Sequence, residues 1–155
     1  MYYSQEELRP VIQEAQAITR GEDSRDEKLL AICKLLRDSI AHYDWVGFYF
    51  ADVAKKELTL GPFVGEPTEH TRIAFGEGIC GQAAHLKKPF VVQDVRKVTN
   101  YLSCSVKVMS EIVFPIFKKG AIAGELDIDS HTVAPFTEKD NLLLEKICEI
   151  VGPLL

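Results

Sequence analysis

Two short runs tie the fold of this chain down more tightly than anything else in it. Ser110–Lys118, SEIVFPIFK, and Ala121–Ser130, AIAGELDIDS, each read as a β-strand, and Lys119-Gly120 between them forms a tight hairpin turn. Successive side chains of a strand point to opposite faces. Ile122, Gly124, Leu126 and Ile128 therefore share one face, and Glu125, Asp127 and Asp129 share the other, with Glu111 at the head of the partner strand placed to join them. One face is core. The other gathers carboxylates of a single sign, whereas an ordinary solvated face mixes signs, because like charges two positions apart repel. Such a row suits a cationic ligand, or is simply the wet face of an antiparallel sheet.

At 155 residues the chain is long enough for one domain with a full core, 1–155, and short for two. Apolar residues at 46% and charged residues at 26% place it among soluble globular proteins. A net charge of -5, with no basic block, argues against a nucleic-acid partner. The first residues, MYYSQEELRP, lack the positive start and apolar run of a secretory signal, and no apolar stretch reaches the ~20 residues that span a bilayer. A cytoplasmic location with no membrane partner is expected. Cys33, Cys80, Cys104 and Cys148 form no CxxC pair, so their spacing points to free thiols and away from zinc.

Helical spacing marks Leu8, Val11, Ile12, Ala15 and Ile18, preceded by the capping-box pair Ser4 and Glu7. Ser24 and Glu27 open a second helix running to about Ile40, whose apolar stripe includes Cys33. At Asp44 the period changes to two. Trp45, Gly47 and Tyr49 alternate with Val46, Phe48 and Phe50; the second set faces the core, and Trp45 and Tyr49 either line a pocket or roof the sheet. A strand over 57–60 completes a hairpin, and GPFVGEP is expected to be an irregular loop. GEGICGQAA then leads into a helix whose N-terminus lies near Cys80, a placement expected to lower that thiol's pKa. GEGICG also has the form of a phosphate loop, a weak signal without a Lys and Ser/Thr after it. A short strand covers 90–92, 93–109 shows no period, and Thr137 caps a last helix that buries Cys148. The order predicts an α+β fold: an antiparallel sheet with the terminal helices on one face and a loop and short-helix ligand layer on the other. Trp45, the acidic row, Cys80 and Cys104 would all meet in that layer.

The ordered set WVGFY, GPFVG, GEGICG, V-x-DV, Cys104 seven residues before Glu111 in SEIVFPI, and GELDIDS resembles a GAF domain, and more narrowly the free methionine-(R)-sulfoxide reductase family. The resemblance covers nearly the whole chain. It implies Cys104 as the nucleophile, Cys80 as the glycine-loop cysteine, Glu111, Asp127 and Asp129 as pocket acids, and Trp45 and Tyr49 as pocket aromatics; it gives Glu125 no role. No cofactor and no metal are expected. His70 stands where the family carries the cysteine that pairs with the nucleophile, and Tyr101, in TNYLSC, stands where it carries a histidine.

The implied activity is reduction of free L-methionine-(R)-sulfoxide, or binding of a similar small zwitterion. A Cys104 thiolate would attack sulfur while one acid protonates the oxygen and others pair with the α-ammonium, Glu111 being the acid counted with Cys104 and Cys80 as catalytic. The resulting sulfenic acid would be resolved by Cys80 or by an external thiol such as thioredoxin or glutathione. The alternatives are a GAF-type sensor that binds a small molecule without turnover, and an interaction domain forming a homodimer through its terminal helices.

Overall fold

A computed structural model describes residues 5–102 and 106–155. Four helices, α1 (Gln5–Arg20), α2 (Arg25–Ser39), α3 (Gly78–Leu86) and α4 (Glu138–Val151), accompany six strands: β1 (Trp45–Asp52), β2 (Glu57–Val64), β3 (Arg72–Ala74), β4 (Phe90–Val92), β5 (Ser110–Lys118) and β6 (Ala121–Ser130). The strands form one sheet in the order β3-β2-β1-β6-β5-β4, antiparallel at every pair. The central hairpin is thus β5–β6, and the expected α+β layering holds. Among the described residues no helix is long and apolar enough to cross a membrane.

Each face of the sheet buries its own apolar cluster. Val46, Phe48, Leu126 and Ile128 meet the stripes of α1, α2 and α4, where Leu29, Ile32, Leu36 and Ile147 are fully buried. Cys33 and Cys148 belong to this layer, and burial raises both thiols above their ordinary value, which leaves them inert packing. The opposite face carries Trp45, Tyr49, Leu58 and Ile122 under α3. α2 starts as its sequence dictates, with Ser24 Oγ accepting the Glu27 N–H at 3.2 Å. At the start of α4, Asp140 accepts the Thr137 N–H at 2.8 Å through Oδ2, and Tyr43 donates its hydroxyl to Oδ1 at 2.6 Å with His42 Nε2 2.9 Å from the same oxygen. That one carboxylate pins α4 to the segment entering β1.

Two bulges correct the sequence reading. GPFV is strand, not loop: β2 pairs with β1 through Val64, and the register moves by three residues in β2 against two in β1 around Gly61 and Pro62. Proline lacks an N–H for the ladder, and a bulge is where a strand can accept one. In β6 the extra residue is Ala123, since Ile116 faces Gly124 but Phe117 faces Ile122. The alternation reverses there, so Ile122 packs with Tyr49 on the α3 side and not with Leu126 and Ile128.

Candidate active site

Strand register brings the acids together before any loop is considered. On β6, Asp127 and Asp129 alternate with the core residues Leu126 and Ile128; β5 places Glu111 beside Asp129, and β1 places Trp45 beside Asp129 and Tyr49 beside Glu125. The wet-face reading fails on exposure: Glu125 is 0% exposed, Asp127 and Asp129 1%, and Glu111 5%. Carboxyl groups are almost never buried this deeply unless they bind or pair with something.

What covers them is α3, which packs on β5 and β6. Its first turn presses hard against the chain before it: a Cβ on Gly81 would lie 2.5 Å from the Ala74 carbonyl oxygen and 3.1 Å from Gly76 N, so only glycine fits. That approach sets Cys80, one residue earlier, over the acids. Its Sγ is 3.8 Å from Glu111 Oε2, and donor atoms of Cys80, Glu111 and Asp127 all lie within 4.8 Å of one another. The three, with Tyr49, His70 and Leu102, line a small cavity of about 10 Å³, room for roughly one water molecule. A wider groove lined by Lys88, Phe117 and Glu145 contains none of these acids.

Charge in this cavity is one-sided. Burial pushes the Cys80 thiol well above its ordinary value, and the neighbouring Asp127, Glu111 and Glu125 push it further. The expectation that the α3 N-terminus lowers this pKa is therefore overturned: a partial positive end is outweighed by desolvation and three carboxyl groups. Burial likewise raises Asp127, with hydrogen bonds to Glu111 and Cys80 opposing it. Glu125 is raised by burial and by Asp127, and both of its oxygens lack a hydrogen-bond partner among the described residues.

Tyr49, Glu111, Asp127 and Cys80 thus share one cavity. Trp45 and Asp129 stand next to it in register but not among its lining residues. Trp45 stacks on Phe63 with ring centroids 5.4 Å apart and donates its indole N–H to the Glu66 carbonyl at 3.0 Å, while Tyr49 is among the residues lining the cavity. The Tyr49 hydroxyl donates to the His70 carbonyl at 3.0 Å, which fixes the loop carrying His70. Cys104 lies outside the described residues.

Asn100 is a positioning residue that the sequence did not single out. Its Oδ1 accepts the Gly78 N–H at 3.0 Å, its Nδ2 donates to the Gly76 carbonyl at 3.0 Å, and its own carbonyl accepts from Gln82. These bonds strap the segment leading to Leu102 onto the start of α3. An Asn in the aperiodic run just before Cys104 was the available signal, since Asn is suited to capping exposed N–H groups.

Comparison with known proteins accords with this arrangement. The GAF domain pattern matches residues 24–154. GAF domain-containing protein A of Dictyostelium discoideum is 35% identical over 95% of this chain and 91% of its own length. Free methionine-R-sulfoxide reductase of Escherichia coli is 34% identical over 84% of this chain and 78% of its own length. In three dimensions the chain superposes with a TM-score of 0.89 on free methionine-R-sulfoxide reductase from Neisseria meningitidis in complex with its substrate, at 35% identity, covering 95% of this chain and 87% of that one.

Proposed function

This chain belongs to the GAF domain family, and on that footing we propose that it reduces free L-methionine-(R)-sulfoxide to methionine in the cavity beneath α3. The observation that carries the reading is the buried acidic row closed over by Cys80. A row of buried acids of this kind, once the cavity widens to admit a ligand, recognises one that brings positive charge and hydrogen-bond donors, as the α-ammonium of a free amino acid does. Relatives at about 35% identity that bear this activity in their names support it.

In the proposed reaction Cys104, carried over from the family motif, attacks the sulfoxide sulfur as a thiolate. A proton on Glu111 or Asp127 goes to the sulfoxide oxygen, which is otherwise a poor leaving group. The hydroxyl then passes from the substrate sulfur to the Cys104 sulfur as the new sulfur–sulfur bond and the substrate S–O bond break, so Cys104 is oxidised by two electrons to a sulfenic acid and methionine departs. The other of these two acids, as a carboxylate, holds the ammonium, with Asp129, carried over from the family motif, beside it on β6 and outside the cavity lining. Cys80 then attacks the sulfenic acid, losing its proton toward Glu111 3.8 Å away, and water leaves as the disulfide forms. An external dithiol such as thioredoxin restores both cysteines. His70 in place of the family's pairing cysteine makes Cys80 or the external thiol the resolving group.

The test is consumption of free L-methionine-(R)-sulfoxide by the purified protein with dithiothreitol. Turnover is expected, lost in Cys104→Ser and retained in Cys33→Ser. No turnover with any dithiol, alongside saturable binding of the sulfoxide, would assign the cavity to a sensor, the reading that His70 favours.

A further inference from the structure

We propose that Cys80, Glu111 and Asp127 form a binding site for a thiophilic divalent cation, Zn²⁺ in particular. The proposal concerns the same cavity but does not rest on the reductase reading, because it is argued from donor geometry alone. Zinc takes sulfur at about 2.3 Å and carboxylate oxygen at about 2.0–2.2 Å in a tetrahedron, which sets the sulfur–oxygen edge at about 3.5–3.7 Å. The Cys80 Sγ to Glu111 Oε2 distance is 3.8 Å, and all three donor atoms fall within 4.8 Å of one another. Side-chain rotations of a few tenths of an ångström to about 1 Å close the set around one ion. The three ligands come from α3, β5 and β6, each fixed by backbone packing, so the site is largely built before a metal arrives.

A second observation points to a ligand independently of the cluster's composition. Asp127 is 1% exposed, yet its Oδ1 has no hydrogen-bond partner among the described residues. A buried carboxyl oxygen of this kind is costly unless something positive meets it. Among the described residues lining the cavity, His70 is the only side chain able to carry positive charge, and neither Lys nor Arg reaches in. Three protein ligands leave a fourth coordination position, as at catalytic and exchangeable zinc sites. The cysteine spacing argument could not find this set, since it considers one ligand type along the sequence and these donors are mixed and 31 and 47 positions downstream of Cys80. Bound there, Zn²⁺ occupies the carboxyl groups that an amino-acid ammonium would use and removes Cys80 from thiol exchange.

Cobalt(II) titration of the full-length reduced protein is the direct experiment, because thiolate-to-cobalt charge transfer gives a near-ultraviolet band that carboxylates alone do not. One Co²⁺ per chain is expected, with the band lost in Cys80→Ser, retained in Cys104→Ser, and displaced by one equivalent of Zn²⁺. Asp127→Asn should weaken affinity by at least about tenfold. Absence of the band, its survival in Cys80→Ser, or its loss in Cys104→Ser would overturn the site. Should Cys80→Ser fail to fold, anomalous diffraction at the zinc edge from wild-type crystals decides: a peak between Cys80 Sγ, Glu111 and Asp127 supports the proposal, and a peak elsewhere or none refutes it. Neither measurement depends on turnover, so an inactive protein that binds Co²⁺ in this way would refute the reductase reading and leave the metal site standing.

Discussion

Replacing Glu125 with leucine is expected to stabilise the protein, and to do so more strongly as the pH rises. Glu125 is fully buried, and neither carboxyl oxygen has a hydrogen-bond partner among the described residues. Polar atoms buried in that state cost about 1–3 kcal/mol relative to an apolar side chain of similar size. A second contribution depends on pH. Burial, and then the charge of Asp127, raises the Glu125 carboxyl well above its ordinary value. Between the unfolded value, about 4.3, and the raised folded one, the native protein keeps a proton that the unfolded chain releases, so stability falls with rising pH by up to about 1.4 kcal/mol per unit. Leucine removes both costs. Urea unfolding of wild type and Glu125→Leu at about pH 4 and about pH 6 should show a gain of about 1–3 kcal/mol at the lower pH, larger by about 1–2 kcal/mol at the higher one. Glu125→Gln keeps the polar atoms but cannot ionise, and should recover only the pH-dependent part. An absent gain in Glu125→Leu would show that Glu125 is satisfied in the folded protein, and a gain equal at both pH values would show that its carboxyl titrates alike in the folded and unfolded chain.

Three further outcomes follow from the geometry. Asp140 behaves oppositely to Glu125: burial alone would raise its carboxyl, but hydrogen bonds from His42, Tyr43 and the Thr137 N–H outweigh that and hold it below its ordinary value. Its contribution is present above the unfolded value of about 3.9 and is lost as pH falls through the folded one, so Asp140→Asn should cost about 1–3 kcal/mol at neutral pH in urea unfolding and distinctly less near pH 3. Gly81→Ala should destabilise by about 1–3 kcal/mol in thermal unfolding, because the new methyl meets the Ala74 carbonyl at 2.5 Å and α3 has to lift; an unchanged midpoint would mean that the first turn of α3 is free to move. Asp127→Asn should weaken binding of free methionine sulfoxide by at least about tenfold in calorimetry, and unchanged affinity would remove the acidic row from ligand recognition.

The difference between what was legible in the chain and what was not lies in whether a feature is set by neighbours in sequence or by neighbours in space. Period-two alternation in WVGFYF and GELDIDS named the buried acids and the two aromatics, and the stripes and caps of α2 and α4 were equally plain, since each depends on residues within one or two turns or pleats. Bulges are different. Ala123 looks like any strand residue, and only the mismatch between β5 and β6 shows that it turns Ile122 to the other face. The same holds for Gly61-Pro62, where turn chemistry suggested a loop and pairing with β1 made a strand. Cys80 is the sharpest case: its place at a helix N-terminus is a local fact that argues for an acidic thiol, while burial beside Asp127, Glu111 and Glu125 is a tertiary fact that argues the reverse and prevails. Nothing within ten residues of Cys80 in sequence announces those carboxyl groups. That reversal bears on mechanism, because a thiol held protonated among acids is unsuited to open attack on a substrate. It suits a group that waits for a proton acceptor, as a resolving thiol does, or for a cation that replaces its proton.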